Sequence, residues 1–389
     1  MNFYIQDPTF PEAYSIHEAL LQACNGVKYG VGAFAFVTSG GVNLFLGDQI
    51  FQDFIKTGKF ELIVGIDEIT NTNTLNKLRE MMIKYGESLE VLVFMHKHKG
   101  TTFHPKFTWF RKEEGGVLIV GSNNLTEKGL RRNIEAFNYN EVTSSQIDDV
   151  ETYFNSWLEH NKNNLFQIDN EDVIERAKQN EIMISKIKKT LGEIDKPSET
   201  DKQLDEEIKE TEDNYEKSGI EGTDQTIDDE DFGAWDFTDT NRVLVAQIPK
   251  SGNRWSQANF NKKTFEAFFG AQAGLNGVYR IVLRNVSRSG KLKELEIRPS
   301  VSVASQNYRF ELEAAMGLNY PLHGRPIAVF IKVAVRTYLY VLAMPNETFY
   351  NELDTYINHL KGVQMVRHLT DVNDLKVNCP NLPLWNITK

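Results

Sequence analysis

His104 and Lys106 stand two residues apart in the run Thr101-Thr102-Phe103-His104-Pro105-Lys106-Phe107-Thr108-Trp109-Phe110. On a β-strand that spacing turns an imidazole and an ammonium to one face. The β-branched and aromatic flanks favour a strand. The apolar run Val117-Leu118-Ile119-Val120 then ends in Gly121-Ser122-Asn123-Asn124, which reads as a buried strand opening into a polar turn. Downstream, Asn133-Ile134-Glu135-Ala136-Phe137 adds a carboxylate in a further strand-like run. Neighbouring strands of this kind would deliver His104, Lys106, Ser122, Asn124 and Glu135 to one spot. Such a set suits a phosphodiester: a histidine to attack phosphorus, and cationic and hydrogen-bonding groups to hold its oxygens. Singly, each residue is ordinary. His-x-Lys arises by chance, a Gly-Ser-Asn-Asn turn is usually only a turn, and Glu135 alone reads as a surface residue. Their joint occurrence at strand positions, in this order, carries the reading.

The elements that must position them follow from periodicity. Residues 11–23 read as a helix starting at a proline, 31–37 as a strand, 47–56 as a helix and 60–66 as a buried strand. An amphipathic helix over 74–85, a strand over 89–95, the three motif strands and a helix over 145–160 complete the run. Alternation of this kind predicts an α/β domain over 1–165, a mixed sheet between helices. Residues 168–192 look helical and exposed, with Val173, Ile174, Ile182, Ile184 and Ile187 as a docking stripe.

The net charge of −11 conceals two opposite segments. Residues 193–231 hold 17 acids against four lysines, whereas 241–340 hold 15 Lys and Arg against five acids. The span 166–234 therefore reads as a helical and acidic linker. It is a solvated spacer or a DNA-mimicking segment that covers a cationic site. The basic segment fits a polyanion partner. No run of eighteen apolar residues and no basic, apolar leader occurs, so neither membrane insertion nor export is expected. The two cysteines, Cys24 and Cys379, form no zinc set and suit a reducing cytoplasm. His96-Lys97-His98 lacks further ligands at useful spacing, so no metal and no cofactor is expected.

Residues 235–345 show many short strands separated by Gly, Pro and Asn, with one short helix capped by Asn261, which predicts a mainly-β barrel or sandwich. Two polar stretches in it resemble nucleic-acid readers. One offers Lys250, Arg254, Trp255, Gln257 and Asn259; the other offers Ser305, Gln306, Asn307, Tyr308 and Arg309. Arg and Lys suit phosphates or guanine, and Asn and Gln suit adenine edges. The ordinary alternative is a pair of loops with Trp255 as a partly buried anchor. Residues 346–389 hold a helix and a tail with Trp385.

His104-x-Lys106 followed by Gly121-Ser122-x-Asn124 resembles the signature of the phospholipase D superfamily. The full signature carries an Asp five residues after the Lys, where this chain has Arg111. That departure, the single motif copy and Asn133-Ile134-Glu135-Ala136 resemble one branch, the metal-independent restriction endonucleases of the BfiI and NgoAVII kind. The resemblance implies a phospholipase D-like nuclease domain followed by a pseudobarrel similar to the plant B-three DNA-binding domain. It implies His104 as nucleophile through a covalent phosphohistidine, Lys106 and Asn124 on the non-bridging oxygens with help from Ser122, and Glu135 as an orienting group. A single motif copy is half a site, so the resemblance also implies a homodimer in which a second His104 is the general acid. Double-stranded DNA is the implied substrate. In part of that branch a separate ATP-dependent translocase takes part, and a restriction system adds a cognate DNA methyltransferase. Two other functions compete: a lipid phosphodiesterase or transferase, and a DNA-binding module without catalysis.

Overall fold

The computed structural model describes residues 2–10, 12–97, 101–194, 235–250, 255–270, 277, 279–299, 301–302, 308–360 and 365–387. Arg254, Ser305, Gln306, Asn307, His98 and the acidic stretch over 195–231 lie outside the described residues.

The first sheet has eight strands: β1 (Asn2–Gln6), β2 (Tyr29–Phe34), β3 (Lys59–Gly65), β4 (Leu89–Phe94), β5 (Lys106–Arg111), β6 (Gly116–Gly121), β7 (Glu135–Val142) and β8 (Leu165–Gln167). Their order is β1-β7-β6-β5-β2-β3-β4-β8. β2, β3 and β4 run parallel, and the other pairings are antiparallel, so the sheet is mixed as expected. β2 to β4 are apolar almost throughout because helices cover both of their faces. On one face lie α1 (Ile16–Cys24), α2 (Ser39–Leu46), α3 (Gln49–Ile55) and α4 (Thr72–Tyr85), packed on Phe60, Leu62, Phe110, Val117 and Ile119. On the other, α5 (Ser144–His160) sets Ile147 and Phe154 against Val31, Ile63 and Trp109. Gly30 makes room for Phe110, since a Cβ there would meet that ring at 2.4 Å.

Local chemistry sets the helix starts. The first helix begins at Ile16, not at a proline: Ser15 and Glu18 form a reciprocal capping box. α6 (Glu171–Ile194) is not the exposed linker helix expected. It buries Val173 and Ala177 on the first domain, and Asn180 donates to Ile66 O and Thr70 O, both at 2.7 Å. The docking stripe is therefore Val173, Ala177 and Asn180, at helical spacing, while Ile182 stays 54% exposed.

The second half contains β9 (Arg242–Gln247), β10 (Gln257–Phe260), β11 (Arg280–Val286), β12 (Leu292–Pro299), β13 (Val301–Ser302), β14 (Tyr308–Glu311), β15 (Ile327–Ala334), β16 (Thr337–Ala343) and β17 (Arg367–Asp371). The expected barrel is two open sheets among the described residues, ordered β12-β11-β16-β15-β9-β17 and β10-β14-β13. Phe260, Phe265, Phe269, Phe310, Phe330 and Tyr338 fill the space between them. The last segment is no separate tail. β17 pairs with β9, and α7 (Tyr350–Tyr356) and α8 (Val372–Asn378) bury Leu353 and Leu375 in the core.

The two halves share one continuous core, crossed by two buried charge clusters. Arg280 is bidentate on Asp48 at 2.6 and 2.9 Å. Glu18 takes Arg336 Nε at 2.6 Å and Arg131 Nη1 at 3.2 Å.

Candidate active site

Four strand ends meet at one edge of the first sheet. Lys106 opens β5 opposite Phe34, the last residue of β2. Gly121 closes β6 opposite Phe137, two residues into β7 from Glu135. This edge is also the carboxyl end of the parallel strands, where β2 has a parallel neighbour on one side and an antiparallel one on the other.

His104 is exposed there, and Lys106 Nζ donates to its Nε2 at 2.9 Å and to its carbonyl at 3.2 Å. An ammonium can only donate, so Nε2 carries the lone pair and Nδ1 the proton. Pro105 between them accepts from Ala35 N at 2.9 Å, which continues the pairing of β2 with β5 up to His104 and Lys106. Phe36 stands edge-on to the imidazole at 5.8 Å. Burial pushes the Lys106 ammonium below its usual range, and the nearby Glu135 carboxylate pushes it partly back.

Asn124 accepts from Phe36 N at 3.3 Å through Oδ1, so its remaining donor is Nδ2. Ser122 donates its hydroxyl to Glu135 Oε2 and accepts from Ala136 N at 3.1 Å. Asn133 donates to Glu135 Oε1 at 3.0 Å. The five residues named from the sequence thus lie at one edge: His104 is linked to Lys106, Ser122 to Glu135, and Asn124 to the Phe36 amide. In this arrangement Ser122 holds the carboxylate rather than presenting a free hydroxyl.

Arg111 explains itself. Five residues from Lys106 on the same strand, it points to the opposite face and pairs with Asp148 at 2.8 Å and with Glu151, both on α5. At that position the side chain braces α5.

A cavity of about 780 Å³ opens beside His104, lined by His96, Phe103, Phe107, Tyr153 and Trp157 among others. His96 therefore stands at the same cavity as His104. Sequence reasoning missed several supports. Phe36 carries both the ring and the amide just described. Gly129 is required because a Cβ there would meet Asn124 O at 2.5 Å. Gln6, on β1, donates to Gly129 O at 2.9 Å and Asn133 O at 3.1 Å. The spacing of Gly129 after Asn124 was the one visible signal; Gln6 and Phe36 act across long separations and leave none.

In the second half, Lys250 is exposed at a hollow of about 590 Å³ with Tyr320, Leu322 and Arg325. Trp255 is corrected from a DNA contact to an anchor: it is 5% exposed, its Nε1 donates to Leu318 O at 2.7 Å, and Tyr320 packs edge-on at 5.5 Å. Gln257 and Asn259 are half-buried on β10, where Gln257 Nε2 donates to Glu311 at 3.2 Å. Arg309 pairs with Asn259 across β14 and β10, and Tyr308 begins β14. Among the described residues no helix is long and apolar enough to cross a membrane, and no three His, Cys, Asp or Glu side chains cluster as metal ligands.

No family model matches the sequence, and no curated protein does. Solved structures do. NucT from Helicobacter pylori is similar at 13% identity and a TM-score of 0.29, over 41% of this chain and 96% of that one. The N-terminal domain of LlaJI.R1 from Helicobacter pylori is similar at 16% identity and a TM-score of 0.25, over 33% of this chain and 97% of that one. Nuc, a phospholipase D family member from Salmonella typhimurium, is similar at 10% identity and a TM-score of 0.29, over 42% of this chain and 95% of that one.

Proposed function

We propose that the protein is a metal-independent endonuclease that hydrolyses DNA phosphodiesters, reads its sequence through the second half of the chain and serves a restriction system. The observation that carries this is the Lys106–His104 contact at 2.9 Å, which leaves the lone pair of a neutral imidazole on Nε2, beside a cation that can move to a phosphate oxygen. Nε2 attacks phosphorus, the bond to the leaving oxygen breaks, and a phosphohistidine forms. Lys106 and Asn124 Nδ2 hold the non-bridging oxygens, and Glu135, fixed by Ser122 and Asn133, keeps Lys106 charged. The leaving oxygen needs a proton. In this reading His104 of a second copy gives it, then takes one from the water that frees phosphate from His104. Activity therefore belongs to a homodimer. The basic segment over 241–340, with Lys250, Arg254, Gln257, Asn259, Ser305, Gln306, Asn307, Tyr308 and Arg309, supports DNA as the substrate.

Incubation with plasmids of varied sequence in excess EDTA tests this. Discrete cutting that survives chelation and disappears in His104→Ala is expected. A chain that cuts DNA while remaining a monomer on it refutes the shared site. The aromatic cavity beside His104 favours one second reading, a phosphatidyl group with its acyl chain in that cavity. Headgroup release from phospholipid vesicles, with no DNA cut, would establish that instead.

A further inference from the structure

We propose that Arg131 is a positioning residue that makes the geometry of the active site depend on the docked second half of the chain. The proposal rests on the catalytic reading of Asn124 and Glu135 given above.

Those two residues bracket the segment 125–134, and little of that segment is regular structure. Leu125 exchanges backbone bonds with Phe36 and Thr38, and a single π-helical turn covers Lys128–Arg132. One side of this turn faces the active site. Gly129 packs on the Asn124 backbone, and its carbonyl accepts from Asn123 Nδ2 at 2.9 Å. Arg131 leaves the other side and is 2% exposed. Its Nη2 donates to Arg280 O at 3.1 Å, Val335 O at 3.1 Å and Arg336 O at 3.2 Å, and its Nε donates to Thr337 Oγ1 at 3.4 Å. Its Nη1 reaches Ser15 Oγ and Glu18 Oε1, both at 3.2 Å. The acceptors in the second half lie at the starts of β11 and β16 and in the turn between β15 and β16. Arg132 adds a second tie from the same turn, to Asp236 O at 3.2 Å.

Only a planar guanidinium can serve so many divergent acceptors; a lysine offers three donors from one point. Three of its four acceptors in the second half are backbone carbonyls, so the tie reports chiefly whether the second half is docked. Asp48 and Arg280 join the same two halves through α3, and of this pair only the Arg280 carbonyl, a backbone group that Asp48→Asn leaves in place, meets the segment. That pair supplies the control. Asp48 also accepts from Ile50 N at 2.8 Å as the cap of α3, and asparagine keeps such a cap.

The test compares Arg131→Lys and Asp48→Asn in the full chain. Hydrogen exchange of amides 122–136 should quicken at least about tenfold in Arg131→Lys and stay near wild type in Asp48→Asn. On a DNA substrate, kcat should fall about 100-fold in Arg131→Lys with KM little changed, as expected for misplaced catalytic groups. Unchanged exchange at 122–136 overturns the proposal. So does an equal loosening of the whole molecule by both variants, which would make Arg131 merely structural. If the wild-type chain cuts no DNA, the nuclease reading fails, while the exchange data still decide the role of Arg131.

Discussion

Glu18→Gln should destabilise the protein by about 3 kcal/mol or more at neutral pH, and the loss should vanish in acid. Glu18 is fully buried between the halves. Burial pushes its carboxyl up, but Arg336 first and Arg131 second outweigh it, and the group is held near 2 against an ordinary 4.5. That displacement corresponds to roughly 3 kcal/mol of differential stabilisation of the charged form. Glutamine keeps the volume but leaves two buried guanidiniums without a counter-charge, and breaking a buried pair costs about 3–5 kcal/mol. The folded value lies below the unfolded one, so the contribution is complete above about pH 4.5 and is lost as pH falls towards 2. Urea denaturation read by tryptophan fluorescence, for both proteins from pH 7 downward, measures it. The gap between wild type and variant should close across that window, whatever other carboxylates do to both. A gap below about 1 kcal/mol at pH 7, or one that persists unchanged to pH 2, refutes the reasoning.

Arg111→Ala should leave cleavage unchanged and cost no more than about 1 kcal/mol, because its ion pairs with α5 are partly exposed and screened; a large fall in kcat would restore this position to the site. Gly129→Ala should cost about 1–3 kcal/mol and abolish most cleavage, since its Cβ would displace the Asn124 carbonyl; a thermal melt and a plasmid assay within wild-type error would show that the segment gives way freely.

The grouping of the five candidate residues was legible because its cues are local. Lys106 opens β5 with His104 two residues before it, Ser122 and Asn124 follow the end of β6, and Glu135 opens β7, strands that antiparallel pairing aligns. The mixed sheet was legible through the same alternation. What stayed hidden depends on partners far along the chain. A charged residue such as Arg131 or Glu18 reads as solvated until a second domain closes over it. Trp255 next to Arg254 reads either as a DNA reader or as a partly buried anchor, and its bond to the distant Leu318 carbonyl favours the anchor. The helix over Glu171–Ile194 looked exposed because alanine and asparagine form its contact face alongside Val173. The residues after 345 looked like a tail because β17 finds its neighbour β9 more than a hundred residues earlier.

The carbonyls that hold Arg131 have a consequence for synthesis. Chains emerge amino end first, and early domains begin to fold while later ones are still being made. Residues 2–167 can complete the first sheet before Val335, Arg336 and Thr337 exist. During that interval the turn between Asn124 and Glu135 keeps the ties of Arg131 to Ser15 and Glu18 and lacks those to Arg280, Val335, Arg336 and Thr337. On the proposed reading, a nascent chain would carry all five candidate site residues yet lack the tie that positions them until the strands of its second half had left the ribosome. If the second half is the DNA reader proposed above, cutting would begin only once that reader was in place.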